Sequence, residues 1–162
     1  MKEFIKVVTS GNVLVDAHSI ECVFRADIKE FEAIIKKAIR NEAFIDYTAS
    51  RDEIKSLLQT DSGVLYASMY KPETIISRLE KADVHMISTI GTHSFLNSKN
   101  IEGLLKYEGK MIDDKNYQNI YIDDTFDETA QPIRALIQLK NHHIYPSTFN
   151  LRTLKKRIEE IR

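Results

Sequence analysis

Histidine, cysteine and clustered carboxylates do much of protein chemistry, and this chain holds few of them in workable patterns. Its five histidines stand at 18, 85, 93, 142 and 143, without a metal-ligand interval among them. Adjacent His142 and His143 would point to opposite sides of an extended segment, so they make a poor chelate. The stretch "DDTFDE" (123–128) gathers four carboxylates. It lacks the glycine turn and the regular ligand spacing of a calcium loop, and reads as a solvated acidic loop. Cys22 is the sole cysteine, which excludes an internal disulfide and a CxxC metal site. No Ser-His-Asp or Cys-His set stands at a recognisable spacing, and the five glycines do not cluster into a phosphate-cradling loop. An enzyme is not indicated, and neither a cofactor nor a metal is expected.

The remaining chemistry is charge. Lys and Arg total 23 against 24 Asp and Glu, a formal net charge of −1. Residues 1–81 carry 12 basic and 13 acidic side chains, and residues 82–162 carry 11 of each. Neither half attracts nucleic acid through bulk charge, so any such binding needs a local patch. The densest basic stretch, "KKR" at 155–157 with Arg152 and Arg162, is diluted by Glu159 and Glu160 and suits a solvated helix face. With 43% hydrophobic residues, a lone cysteine, no apolar run of membrane-spanning length and an N-terminus unlike a secretion signal, a folded cytoplasmic protein with no membrane partner is expected.

The elements that would position such a patch come in pairs. "LLQTDSGVLYASMYKPETIISRLEK" (57–81) and "LIQLKNHHIYPSTFNLRTLKKRIEE" (136–160) agree at seven of 25 positions with a shift of 79 and no gap; chance gives about one or two. Tyr66/Tyr145, Ser68/Ser147 and Arg78/Arg157 are among the identities. Earlier, "VLVDAHSIECVF" (13–24) answers "SFLNSKNIEGLL" (94–105) at a shift of 81, and "FIDYT" (44–48) answers "YIDDT" (121–125). One unit of about 80 residues therefore occurs twice, as domains 1–82 and 83–162. The repeated Tyr and Ser are expected to serve packing and a local hydrogen bond. Arg78 and Arg157 suit either the negative end of a helix or a seam between subunits.

Within the first unit, residues 3–9, "NVLVD" and "SIECVFRA" read as strands. "DIKEFEAIIKKAIRNEA" turns to helical period, placing Ile28, Phe31, Ile34, Ile35, Ala38 and Ile39 on one face, with Asp27 and Glu30 as a capping box. "AFIDYT" and "EIKSLLQT" return to strand. Gly63 supplies the positive φ of a hairpin turn, and Pro72 opens a closing helix. The second unit repeats the strands and the closing helix, where Leu151, Leu154, Ile158 and Ile161 share a face. Its central stretch, "EGKMIDDKNYQNIY", is weakly amphipathic. The fold class is α+β, two small β-rich domains each closed by a C-terminal helix. A unit of this size is marginal alone, so the two are expected to pack on each other or on other chains.

"GNVLVDAHSIECVF", "AFIDYTASRDE" and "VLYASMYKPETIISRL" resemble the RemA family of bacterial regulators, in which a GN-plus-apolar start, "ID.T.GRR" and "S..QPET...RL" follow one another. "IYPSTFNLRTLKKR" is similar to the end of the sister family RemB. The resemblance covers nearly the whole chain and is weakest at 106–120. It implies a β-rich fold similar to the LytTR DNA-binding domain. It also implies ring-forming homo-oligomers, duplex DNA as partner, and activation of genes for biofilm matrix and osmoprotection.

Carried over residue by residue, the family's early arginine falls on His18, with Lys99 at the same place in the second unit. "GRR" falls on Ser50-Arg51-Asp52, and a basic residue shortly after is Lys55, matched by Arg134. The implied DNA contacts are His18, Arg51, Lys55, Lys99 and Arg134. Asp52 and Glu53 intrude on the arginine pair, "DETAQP" replaces it in the second unit, and His18 is mostly neutral at pH 7. Each lost cation removes a released counterion from the affinity. The alternative expectation is a module that keeps the fold and its oligomerisation but not DNA.

Overall fold

The computed structural model describes residues 2–28, 31–91, 93–107 and 133–161. Glu30 of the expected capping box, the stretch "EGKMIDDKNYQNIY", "YIDDT" and the acidic 123–128 segment lie outside these residues.

The fold is mixed α+β and mostly strand. A hairpin of β1 (Phe4–Lys6) and β2 (Leu14–Asp16) leads through a 3-10 turn at Ala17–Ser19 into β3 (Ile20–Arg25). Helix α1 (Phe31–Arg40) and the short β4 (Phe44–Ile45) follow. A second hairpin, β5 (Ser56–Thr60) with β6 (Leu65–Ser68), then runs into α2 (Pro72–Lys81). The next hairpin pairs β7 (Met86–Ile90) with β8 (Ser94–Asn97), and another 3-10 turn, Ser98–Asn100, opens β9 (Ile101–Lys106). Beyond it come β10 (Ala135–Leu139), β11 (Ile144–Ser147) and the closing helix α3 (Leu151–Glu159).

Corresponding elements carry the same local wiring. Asp16 Oδ1 accepts from the His18 N–H at 3.2 Å, and Asn97 Oδ1 accepts from the Lys99 N–H at 3.1 Å. Ser68 Oγ donates to the Val7 carbonyl at 2.9 Å and accepts from the Tyr70 N–H. Ser147 Oγ donates to the Thr89 carbonyl at 2.8 Å and accepts from the Phe149 N–H. Each repeated serine thus fastens the last strand to a hairpin. Arg78 lies 4.0 Å over the Tyr70 ring and Arg157 lies 4.1 Å over Phe149, so each closing helix stacks its arginine on the turn before it. The β5–β6 turn uses Gly63 at φ +95°, and the β10–β11 turn puts His142 at φ +74°, where a side chain is less at ease.

The sheets do not follow the sequence repeat. The six-stranded sheet has the order β4-β6-β5-β3-β8-β7, in which only β4 and β6 run parallel. Hairpin β7–β8 therefore lies on β3, with Cys22 opposite Leu96, Val23 opposite Phe95 and Phe24 opposite Ser94. Strands β9, β10 and β11 form a separate sheet, and β1–β2 a third. The largest core cluster accordingly draws on both sequence halves: Phe24, Ile35 and Leu57 pack with Leu96, Ile137 and Tyr145. A second cluster joins Val15, Val23, Leu58, Ile75 and Leu79 behind the same strands. Strand β3, buried from Ile20 to Phe24, lies between them.

Helix α1 buries Ile34, Ile35 and Ala38, as its period predicts, but Ile39 is 51% exposed. At 100° per residue, Ile39 sits about 90° round from the middle of that stripe, beyond the width the sheet covers. No helix among the described residues is long and apolar enough to cross a membrane.

Candidate nucleic-acid interface

Strand β3 separates the expected DNA contacts. His18 stands in the turn before its first residue, half-buried, with Nε2 3.4 Å from Glu3 Oε1. Lys55 lies at the other end, where its carbonyl accepts from the Ala26 N–H just past Arg25. Six extended residues put roughly 20 Å between those ends. Lys99 and Arg134 are divided by β9 in the same way: Lys99 precedes Ile101, while the Arg134 carbonyl accepts from the Tyr107 N–H. The five residues form no single patch. Arg51 and Lys55 meet, Arg134 takes the corresponding place in the second half, and His18 and Lys99 lie at the opposite strand ends.

The meeting points are two clefts of matching construction. One, of about 660 Å³, is lined by Arg25, Arg51, Lys55 and Lys71 together with Asp27, Glu32, Asp52 and Glu73. The other, of about 430 Å³, is lined by Lys106, Arg134 and Arg152 with Tyr107, Ile133 and Asn150 among its other walls. Shifts of 81 and 79 place Arg25 on Lys106, Lys55 on Arg134, Lys71 on Asn150 and Glu73 on Arg152. Both clefts lie where the last residue of a strand meets the start of the next hairpin and of a closing helix. Hairpin β7–β8 is hydrogen-bonded to residues at both places: the His93 carbonyl accepts from the Arg25 N–H, and the Thr89 carbonyl of β7 accepts from the N–H of Thr148, next to Ser147, whose carbonyl accepts from the Arg134 N–H.

Their electrostatics differ. In the larger cleft Arg25 pairs with Glu73, and Arg51 lies 3.4 Å from Glu32 and 3.5 Å from Asp46. The Arg25 hydrogen bond holds the Glu73 carboxyl below its ordinary value. A depressed carboxyl adds stability above its unfolded pKa and loses it as pH falls through the folded one. The pair is open to solvent and contributes about 0–1 kcal/mol. Urea unfolding of Glu73→Gln is therefore expected to show a small loss at neutral pH that closes as the buffer becomes acid enough to protonate the carboxyl. In the smaller cleft Lys106, Arg134 and Arg152 are exposed, and none has an ion-pair partner among the described residues. Three cations without a carboxylate partner among the described residues, around one concavity, suit an anion with several oxygens, such as a phosphate.

A buried carboxylate lies at the other end of β3. Glu21 is fully buried and accepts from Tyr145 Oη at 2.5 Å and from Asn141 Nδ2 at 2.5 Å, with His143 Nδ1 at 2.9 Å. Neighbouring Cys22 is also fully buried, and burial followed by the Glu21 charge pushes its thiol pKa well up, which disfavours a reactive thiolate. Among the described residues no group of three or more His, Cys, Asp or Glu is placed to hold a metal ion. The Glu21 cluster ties β3 to the β10–β11 turn.

Sequence reasoning missed Arg25, Lys71 and Lys106 as cleft residues and treated Arg152 as helix surface. The signal was present in the repeat itself, which superposes Arg25 on Lys106 and Lys55 on Arg134. No protein-family model matches the chain, and neither does any curated protein.

Proposed function

We propose that the chain is a non-enzymatic, cytoplasmic transcription regulator of the RemA/RemB type. It consists of two tandem modules, 1–82 and 83–162, that assemble into a homo-oligomer and hold duplex DNA through phosphate contacts. The observation that carries this reading is the cleft of Lys106, Arg134 and Arg152, three exposed cations without carboxylate partners among the described residues, at the place where the first module builds its own cleft. Lys55 and Lys71 of the larger cleft add two further cations to the contact. Genes for biofilm matrix are the target class that the family resemblance suggests. Because contacts to phosphate position a protein without reading bases, sequence preference would come from DNA shape.

A second reading, an interaction module that has lost DNA, is favoured by the larger cleft, whose Arg25 and Arg51 are held by Glu73, Glu32 and Asp46. A fluorescence titration of labelled duplex DNA separates the two. Lys106→Glu with Arg134→Glu is expected to weaken binding at least tenfold and to flatten the salt slope, since each phosphate contact adds about 0.9 to it. Unchanged affinity in that variant would favour the second reading.

A further inference from the structure

Hairpin β7–β8 completes the first module's sheet, and its strand pairing and apolar contacts have counterparts left open elsewhere on the chain among the described residues. In register it places Leu96, Phe95 and Ser94 along Cys22, Val23 and Phe24 of β3. The corresponding hairpin is β1–β2, whose strands pair only with each other among the described residues. The strand corresponding to β3 is β9, which pairs with β10 on one side and with no described strand on the other. Where β3 is buried from Ile20 to Phe24, every residue of β9 is half-buried or exposed. An unpaired strand edge of this kind is a template for another strand.

The side chains agree. Met86 of β7 and Phe95 of β8 turn away from their own hairpin's core and pack against the first module's second cluster. Their counterparts are Phe4, 59% exposed, and Leu14, 55% exposed, two of the four large hydrophobic side chains exposed among the described residues. Tyr145 donates its hydroxyl to the buried Glu21. The counterparts are Tyr66, whose hydroxyl has no partner among the described residues, and Glu102, which is exposed and likewise unpartnered.

We infer that a second copy of this chain docks on β9. Its β1–β2 hairpin continues the three-stranded sheet with Val15, Leu14 and Val13 along Gly103, Leu104 and Leu105, and its Tyr66 hydroxyl reaches Glu102. This deepens the homo-oligomer of the proposed function and rests on the two-module part of that reading, not on DNA. The contact is head-to-tail: the hairpin face and the β9 face are different surfaces, so each chain offers one of each, and growth ends only by closing a ring. Two bonds of the internal junction are not repeated. Asn97 Nδ2 donates to the Ile20 carbonyl at 3.0 Å, whereas Asp16 has no amide to give. Asn141 and His143 at Glu21 become Ser62 and Val64. The contact between chains is therefore weaker than the one within the chain and depends on concentration.

Sedimentation velocity across a concentration series tests this on the full chain. The wild type should run above the 18.7 kDa monomer. Leu14→Glu breaks the hairpin face and Leu104→Glu the β9 face, so each alone should be monomeric. Mixed in equal amounts they retain one intact pair of faces and should give a 1:1 dimer of twice 18.7 kDa. Exposed Glu102→Lys, with circular dichroism and thermal unfolding of all variants, separates a broken seam from a broken fold. A monomeric wild type, single variants that keep the wild-type mass, or a mixture that stays monomeric would overturn the inference. DNA titration of the same samples keeps the readings apart: a monomer that binds DNA sinks the seam alone, and an assembly that ignores DNA sinks the DNA reading alone.

Discussion

Leu96→Ala is expected to lower the unfolding free energy by about 2–5 kcal/mol, with every probe of both sequence halves shifting together. Leu96 is fully buried in β8, opposite Cys22 in the sheet, within the cluster to which residues of both halves contribute. Removing its branched end leaves a cavity between elements that are distant in sequence, and neither side can close it alone. Denaturant unfolding followed by circular dichroism and by tyrosine fluorescence provides the measurement. Two separated transitions, one per half, would show that the shared core is not what holds the halves together.

Tyr145→Phe carries the second large effect, a loss of about 1–3 kcal/mol. The hydroxyl donates to a carboxylate with no access to water, and phenylalanine fills the same space while taking the donor away. The asymmetry of hydrogen bonding makes the cost that of an under-satisfied buried charge rather than of one average bond. Tyr66→Phe is the matched control. In a dilute monomer its loss should be near zero, because that hydroxyl has no partner among the described residues. Equal losses for the two variants would mean that the Glu21 cluster contributes nothing beyond ring packing.

The contrast between these two tyrosines shows what a sequence of this kind reveals. The shift of 79 made the last strand and helix of each half legible, and β6–α2 and β11–α3 have the same local form. Helix α1 was legible because its apolar period is strong, although period alone could not tell that the stripe narrows before Ile39. The placement of β7–β8 on β3 was not legible. Strand pairing is made by backbone groups that every residue carries, so the repeat says that the two hairpins are alike without saying which strand each completes. For the same reason a Glu shared at positions 21 and 102 gave no hint that one is buried and the other exposed.

The candidate site was legible by half. Lys55 and Arg134 were recognised through the family resemblance, and the structure puts each in a cleft. Arg25 and Lys106 end strands whose shift is 81 rather than 79, so the alignment that exposed the closing segments did not bring them beside Lys55 and Arg134. Net charge misleads here as well. A chain near neutrality can still present three cations in one concavity, because local fields decide contact while bulk charge decides long-range attraction.

The salt dependence of duplex DNA binding by the wild-type chain tests the phosphate-contact account most directly. Log affinity is expected to fall linearly with log salt concentration, with a slope that grows with the number of phosphates held by the clefts. Absence of binding at low salt, or an affinity that does not change with salt, would contradict it.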